Sequence, residues 1–289
     1  MPTRPIAIIF NPSARSEKAA HILNQLQPLT QAQADIFITQ TIGDALPLAK
    51  KAAEEGYNII VAAGGDGTLN EVINGVFPLP IPIGILPLGT MNVFAHEMKI
   101  PSRLADAWQI ILEGHISKVD LPLLNQRRFI QLAGVGFDAK VVELTSWESK
   151  RQLGPLSYIL SATQALSTPN PRFIVTADNL LPTEATLALI GNGTHYGGPF
   201  KLFPQANNSD GLLDLCLFSK MSYLDALRYL QAIVAGNHTR LPDVHYVRTS
   251  HIEIDSPSPV PTEVDGELFG YTPCVLRIDG ATLDVITPR

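Results

Sequence analysis

Residues 62–72 read AAGGDGTLNEV. Three glycines surround one carboxylate, Asp66, and Thr68 follows at once. Glycine lets a backbone approach a bound group closely and turns its N–H groups into donors. A carboxylate inside such a cradle is a ligand for a hard cation. These residue types suit a phosphate-bearing ligand with a metal ion beside it. A tight turn that carries a charge would use the same residues, so the stretch alone leaves both readings open.

Three more polar segments extend the pattern: NPSAR (11–15), Thr39 and PLGTMN (87–92). Each follows a β-rich apolar run, namely PIAIIF (5–10), DIFIT (35–39) and IPIGIL (81–86), as YNIIVAA (57–63) precedes the glycines. Between the runs the apolar spacing is helical. Ala19, Ile22, Leu23 and Leu26 share a face over 16–27, residues 44–55 end at Gly56, and Leu69, Val72, Ile73 and Val76 recur before Pro78. Helical patterns continue to about Gly114. Such alternation predicts a parallel sheet covered on both faces. All four polar segments then lie at its carboxyl edge, where open α/β folds bind ligands. A helix starting near Thr68 aims its N-terminal dipole there. Two Gly-Thr turns at consecutive strand ends, with an Asn-Pro-Ser loop beside them, favour phosphate binding over a plain turn. GxxxxGK[ST] and GxSxG are absent, and Asn70 stands where a GxGxxG motif needs its third glycine.

The character changes near KVDLPLLNQRRFI (118–130). Short alternating segments follow: FIQLAGVG, RFIVTA, EATLALIGN, LLDLCLF, VHYVRTSHIEID, CVLRI and TLDVI. Helical interruptions fall at 138–166 and 221–235, and SPSPVP (256–261) reads as a loop. This half reads as an antiparallel β domain. The expected division is 1–118 and 119–289.

Of the 289 residues, 45% are hydrophobic and 17% charged, which supports a packed core and opposes disorder. A net charge of −6 without a basic run argues against nucleic acid. Cys216 and Cys274 form neither a disulfide framework nor a CxxC pair. The apolar run in MPTRPIAIIF is too short for a signal peptide, and no segment approaches the roughly 18 apolar residues of a membrane span. The expected location is cytoplasmic.

GGDGTLNEV after a strand, preceded by NPSAR and followed by PLGTMNVFA, resembles the diacylglycerol kinase catalytic domain. That family includes bacterial lipid kinases and the sphingosine and ceramide kinases. AGVGFDA (133–139), the glycines 197–198, PQANNSDGLLDL (204–215) and EVDGE (263–267) look like its later blocks, in order. The resemblance implies an α/β-plus-β fold: an N-terminal open parallel-sheet nucleotide-binding domain, then an antiparallel β-sandwich-like domain, with the active site in the cleft between them. It implies phosphoryl transfer from Mg·ATP to the hydroxyl of a diacylglycerol-like lipid. By motif, Asn11, Thr39, Gly65, Asp66, Gly67, Thr68, Leu69, Asn70, Glu71 and Thr90 would contact nucleotide. Asp66 would hold the catalytic Mg²⁺ directly or through water, and Glu267 would be the general base. Asn207, Asp210 and the Leu212 carbonyl would hold a second, structural Mg²⁺. The partner would be lipid at a membrane surface, met peripherally, reversibly and transiently.

The chemistry agrees: phosphoryl transfer needs positioning and charge neutralisation. Backbone donors and a cation on carboxylate supply both, and a carboxylate accepts the alcohol proton. Two positions depart from the family: Val93 where many members carry an acid, and Gln131 where Asn is frequent. Simpler readings stand beside these. Glu267 and Asp210 each adjoin an Asp-Gly turn dipeptide or belong to one. His195 and Tyr196 read as loop residues, and His96, His115 and His251 lack ligand spacing. Leu156, Tyr158, Ile159, Leu160, Ala162, Ala165 and Leu166 suit core burial better than an acyl groove, and Lys150 and Arg151 a solvated helix end. An NAD kinase and a non-catalytic nucleotide- or lipid-sensing module are the competing functions. The lipid and the oligomeric state stay open, a homodimer included.

Overall fold

The structure is a computed structural model, and it describes residues 4–12, 19–30, 33–145, 155–167, 170–198 and 200–289. The chain forms two compact units. One takes residues up to Val119 together with Thr282–Arg289, and the other takes Asp120–Ala281.

The first unit runs β1 (Arg4–Phe10), α1 (Ala19–Thr30), β2 (Ala34–Ile38), α2 (Ala45–Glu54), β3 (Tyr57–Gly64), α3 (Asp66–Val76) and β4 (Ile83–Pro87). A short α4 (Val93–Glu97), α5 (Leu104–Glu113) and β5 (Ile116–Asp120) follow. The last strand of the chain, β20 (Thr282–Ile286), completes a six-stranded sheet in the order β2-β1-β3-β4-β20-β5. β1 pairs in parallel with β2 and β3, β3 with β4, and β20 with β4. Every residue of β4 is buried, as a parallel strand covered on both faces requires. Leu26, Ala49, Val72, Ile73 and Trp108 of the helices and Ile8, Ile9, Ile60 and Val61 of the strands are each nearly inaccessible. Burying each large aliphatic side chain contributes roughly 1.5–3 kcal/mol.

The second unit is a sandwich. Its strands are β6 (Leu123–Leu124), β7 (Arg127–Arg128), β8 (Leu132–Gly136), β9 (Phe173–Ala177), β10 (Leu180–Ala185), β11 (Leu187–Gly191) and the small pair β12 (His195–Tyr196) and β13 (Phe200–Lys201). Then come β14 (Leu213–Phe218), β15 (Val244–Thr249), β16 (His251–Asp255), β17 (Pro261–Val264), β18 (Glu267–Tyr271) and β19 (Cys274–Arg277). They build two six-stranded sheets, β10-β9-β16-β19-β6-β7 and β15-β14-β11-β8-β17-β18. Strand alternation decides which core each residue joins. Leu213, Leu215 and Leu217 of β14 enter the main core with Val175, Ile252 and Leu276. Cys216 and Phe218 enter a second cluster, with Tyr229 of the helix Tyr223–Val234. Ser222 and Asp225 form a capping box at the start of that helix.

The fold class is the expected one, with differences in detail. The helical region 138–166 contains α6 (Phe137–Leu144) and a separate helix, Pro155–Leu166. Residues 146–154, with Lys150 and Arg151, lie outside the described residues, as do 13–18, which include part of NPSAR and the expected start of the first helix. Ala165 is buried, whereas Leu160 is 58% exposed and does not join the core. The side chains of Leu156, Tyr158 and Ile159 are not among those described. Helix α3 starts at Asp66, two residues before Thr68. TLDVI, which reads like a last sandwich strand, instead returns to the first unit. Among the described residues, no helix is long and apolar enough to cross a membrane.

Candidate active site

The loops at the carboxyl ends of β1, β2, β3 and β4 hold one another through the backbone. The Asn11 N–H donates to the Ala63 carbonyl, and the Thr39 N–H to the Phe10 carbonyl, each at 3.0 Å. The Leu88 and Gly89 N–H groups both reach the Gly64 carbonyl, at 2.9 and 3.2 Å. Asn11 Nδ2 donates to Thr68 Oγ1 at 2.9 Å, tying the first loop to α3. Gly65 and Gly89 meet backbone to backbone: a Cβ on Gly89 would stand 2.5 Å from Gly65 Cα and 2.7 Å from Asn92 Oδ1. No side chain fits there. Asn92, with φ 47°, closes the second loop by accepting from Gly89 N–H and donating to its carbonyl, both at 2.9 Å.

Gly65 is the extended N-cap of α3, Asp66 its first residue, and the Leu69 N–H closes the first helical bond to the Gly65 carbonyl at 3.0 Å. The N–H groups of the first turn have no acceptor within the helix, and the dipole favours an anion at this end. Asp66 Oδ1 accepts from the Phe94 N–H at 3.4 Å. Asp66, Leu69, Pro87 and Asn92 line a small recess behind the two loops. Thr90 is exposed on the second loop, and Val93 is buried. Mg²⁺ is commonly held by one or two carboxylates plus substrate phosphates, so Asp66 beside a glycine cradle fits that ion.

The structure does not bring every candidate to this crevice by its side chain. Leu69 and Asn70 are buried, and the Asn70 amide oxygen accepts from Asn74. The Glu71 carboxylate accepts from the Gly43 and Ala45 N–H groups at 3.2 and 2.9 Å, satisfying the start of α2.

In the sandwich unit, Glu267 opens β18 after a two-residue turn. Asp265 and Gly266 there have φ 48° and 83°. The Asp265 carboxylate accepts the N–H groups of Ile130, Gln131 and Leu132 at 2.9–3.1 Å and so pins the turn to β8. Gln131 donates its side-chain amide to the His195 carbonyl at 2.8 Å. Behind the turn, Asp138, Tyr196 and Glu263 form a polar cluster. Of these, the quoted blocks contain Asp138 and Glu263, but nothing in their local spacing shows that they meet.

The loop 207–212 has a different character. Asp210 pairs with Arg248 through Oδ2 and accepts the Leu212 N–H at 3.1 Å through Oδ1. Asn207 Oδ1 accepts from Ser209, and the Gly211 N–H donates to Asp120 at 2.7 Å. Arg248 Nε also lies 3.5 Å from buried Asp214, whose carboxyl burial pushes above the usual range against the pull of Tyr246 and Arg248. A cation on the Asp210 carboxylate would have to displace that guanidinium, and no cluster of three His, Cys, Asp or Glu capable of holding a metal occurs among the described residues. The side chains here do not fit a second Mg²⁺ as they stand.

One unit is thus a parallel α/β sheet with a glycine cradle at its carboxyl edge, and the other is an antiparallel sandwich. The diacylglycerol kinase catalytic domain model matches residues 5–123, and that of the YegS C-terminal NAD kinase beta sandwich-like domain matches 132–287. Diacylglycerol kinases of Staphylococcus epidermidis and Staphylococcus saprophyticus are each 33% identical to this chain over 98% of its length, covering 92% and 95% of their own. A crystal structure of a diacylglycerol kinase from Bacillus anthracis is 27% identical and superposes with a TM-score of 0.78, covering all of this chain and 98% of its own. This chain belongs to the diacylglycerol kinase family.

Proposed function

We propose that this protein transfers the γ-phosphate of Mg·ATP to the hydroxyl of a diacylglycerol-like lipid. The backbone contact of Gly65 with Gly89 carries the reading, because it leaves a side-chain-free cradle beside Asp66 at the start of α3. In this reading, first-turn N–H groups and the Asn11–Thr68 pair orient the phosphates, and Thr39 and Thr90 border them. Gly65 and Gly67 admit the phosphates by lacking side chains, and Leu69, Asn70 and Glu71 hold the helix in place. Asp66 holds the metal ion, which when bound neutralises charge on the phosphates. Glu267 takes the proton as the lipid oxygen attacks the γ-phosphorus; the bond to the β–γ bridging oxygen breaks and ADP leaves. The lipid is met at a membrane surface by weak, reversible attachment from the cytoplasm.

The test incubates the protein with γ-labelled ATP and a total lipid extract. Label in an organic-phase phospholipid supports the reading, and no label in any lipid sinks it. A second reading, an NAD kinase, is favoured by the description of the sandwich domain that the chain matches. NADP formed from ATP and NAD would establish it. Turnover of neither acceptor would leave the non-catalytic sensing module.

A further inference from the structure

Glu263 lies on β17 opposite Gly134 of β8, and it is fully buried. Asp138 stands in the first turn of α6. A Cβ on Gly134 would lie 2.5 Å from Asp138 Oδ2 and 2.7 Å from Glu263 Oε1. Both oxygens therefore crowd over one bare Cα, and the two carboxyls hydrogen-bond there. Glu263 Oε1 accepts from no N–H or hydroxyl among the described residues, which leaves the Asp138 carboxyl as its partner. The outer oxygens are also engaged. Asp138 Oδ1 accepts from the Tyr196 hydroxyl, and Glu263 Oε2 accepts from the Gly266 N–H at 2.8 Å. The chain of contacts ends one residue before Glu267.

Two carboxylates in contact cannot both ionise, so one of them carries a proton. Burial raises the titration of both, and the charge of Asp138 raises Glu263 further. Such an arrangement costs more than apolar packing would. A turn that only needed holding is already held, by the Asp265 carboxylate on three N–H groups.

We propose that Asp138 and Glu263 are positioning residues, a carboxyl pair that shares one proton and, through the Gly266 N–H, sets the turn presenting Glu267. This rests on the reading that Glu267 accepts the alcohol proton. The groups facing the pair are Tyr196 from β12 and Asp265 from the turn; on α6, Lys140 directs its ammonium to the Ala165 carbonyl. With the proton present, the pair is a hydrogen bond. As pH rises through the raised titration range, the proton leaves and two like charges face each other. Glu263 is then driven off and the Gly266 N–H loses its acceptor. The function of the pair is thus complete while the shared proton is held and is lost as pH rises through the raised titration.

The experiment measures kcat and the KM for ATP with the lipid acceptor as a function of pH, from mildly acidic to alkaline. It compares wild type, Glu263→Ala, Glu263→Gln, Asp138→Asn, Glu267→Gln and the double variant Glu263→Ala/Glu267→Gln. Glu263→Ala is expected to lower kcat about 10- to 100-fold with KM for ATP within about twofold, and to cost nothing more once Glu267 is Gln. Glu263→Gln rescues most of that loss, because its amide donates to Asp138 and accepts from Gly266. It and Asp138→Asn lose the alkaline fall, having no shared proton to release. An alkaline limb in both amide variants that superposes on wild type overturns the proposal, as does a fully additive double variant. If Glu263→Ala does not fold, the amide profiles decide. Wild-type kcat in Glu267→Gln overturns the reading of Glu267 itself. Impaired Glu267→Gln with amide variants that keep the wild-type limb overturns the pair alone.

Discussion

The Asp66 carboxylate and the Phe94 backbone N–H lie 3.4 Å apart, joining the first turn of α3 to the first turn of α4. That is the long end of a hydrogen bond, so the contact orients the carboxylate without contributing much energy. Asp66→Asn keeps an oxygen for Phe94 and loses the negative charge. The fold should persist, with an unchanged circular dichroism melt. Transfer should fall below about a tenth of the wild-type rate at saturating Mg²⁺, because a lost metal-supporting charge costs several kcal/mol of barrier. A faster variant would remove Asp66 from the metal's coordination.

Glu267→Gln should behave differently. A general base contributes typically about 10²–10⁴-fold, so kcat should drop by that order while ATP affinity holds. Steady-state kinetics with varied ATP separate the two parameters. A kcat within about threefold of wild type would leave Glu267 as a turn acid only.

Gly89→Ala tests the loop contact. Its new methyl meets Gly65 Cα at 2.5 Å, and backbone on both sides cannot yield cheaply. The cost should be about 1–3 kcal/mol of stability, typical of overpacking, together with weaker nucleotide binding. Thermal melts and nucleotide titration check both effects, and an unchanged ATP affinity would separate the loop contact from the phosphate cradle.

The sandwich unit should lose stability in acid in part through Asp243. Arg228 holds this carboxyl well below the usual range against the opposing effect of burial, with Tyr229 adding a hydrogen bond. A depressed titration stabilises the fold above the unfolded value of about 3.9, and the gain is lost as pH falls below it. The melting temperature of Asp243→Asn should therefore lie below that of wild type at neutral pH and converge with it in acid. A gap that stays constant with pH would contradict the linkage.

Attachment to lipid should be weak and salt-tolerant. A net charge of −6 gives little attraction to anionic headgroups. Sedimentation with substrate-free vesicles should leave most protein in the supernatant at low and high salt alike. Pelleting that survives an alkaline wash would contradict peripheral binding.

Much of the first unit is legible from local sequence because parallel strands buried on both faces form continuous apolar runs, as in Ile83–Pro87. The loop residues Asn11 and Thr68 read as neighbours at adjacent strand ends, and the structure bonds them. The start of α3 is less legible, since Asp66 and Gly67 add no apolar period. Glu71 looks like part of the phosphate motif, yet its partners are Gly43 and Ala45, and no local pattern marks a helix start supplied from another helix. Asp138 and Glu263 meet only because β8 and β17 pair with Gly134 between them, a matter of register that separation in sequence conceals.

The position of β20 has a consequence for the order in which the protein is made. β20 sits between β4 and β5, held to β5 by Lys118–Asp284 and by the Ser117–Thr287 hydroxyl pair. A ribosome delivers β4 early and β20 only after the whole sandwich. Throughout that interval β4, buried at every residue in the finished sheet, has a bare apolar edge of the kind that recruits foreign strands. β5 waits equally long for its neighbour. The nascent chain thus carries an aggregation hazard until β20 is made, and a message truncated anywhere within the sandwich yields a first unit whose sheet cannot close.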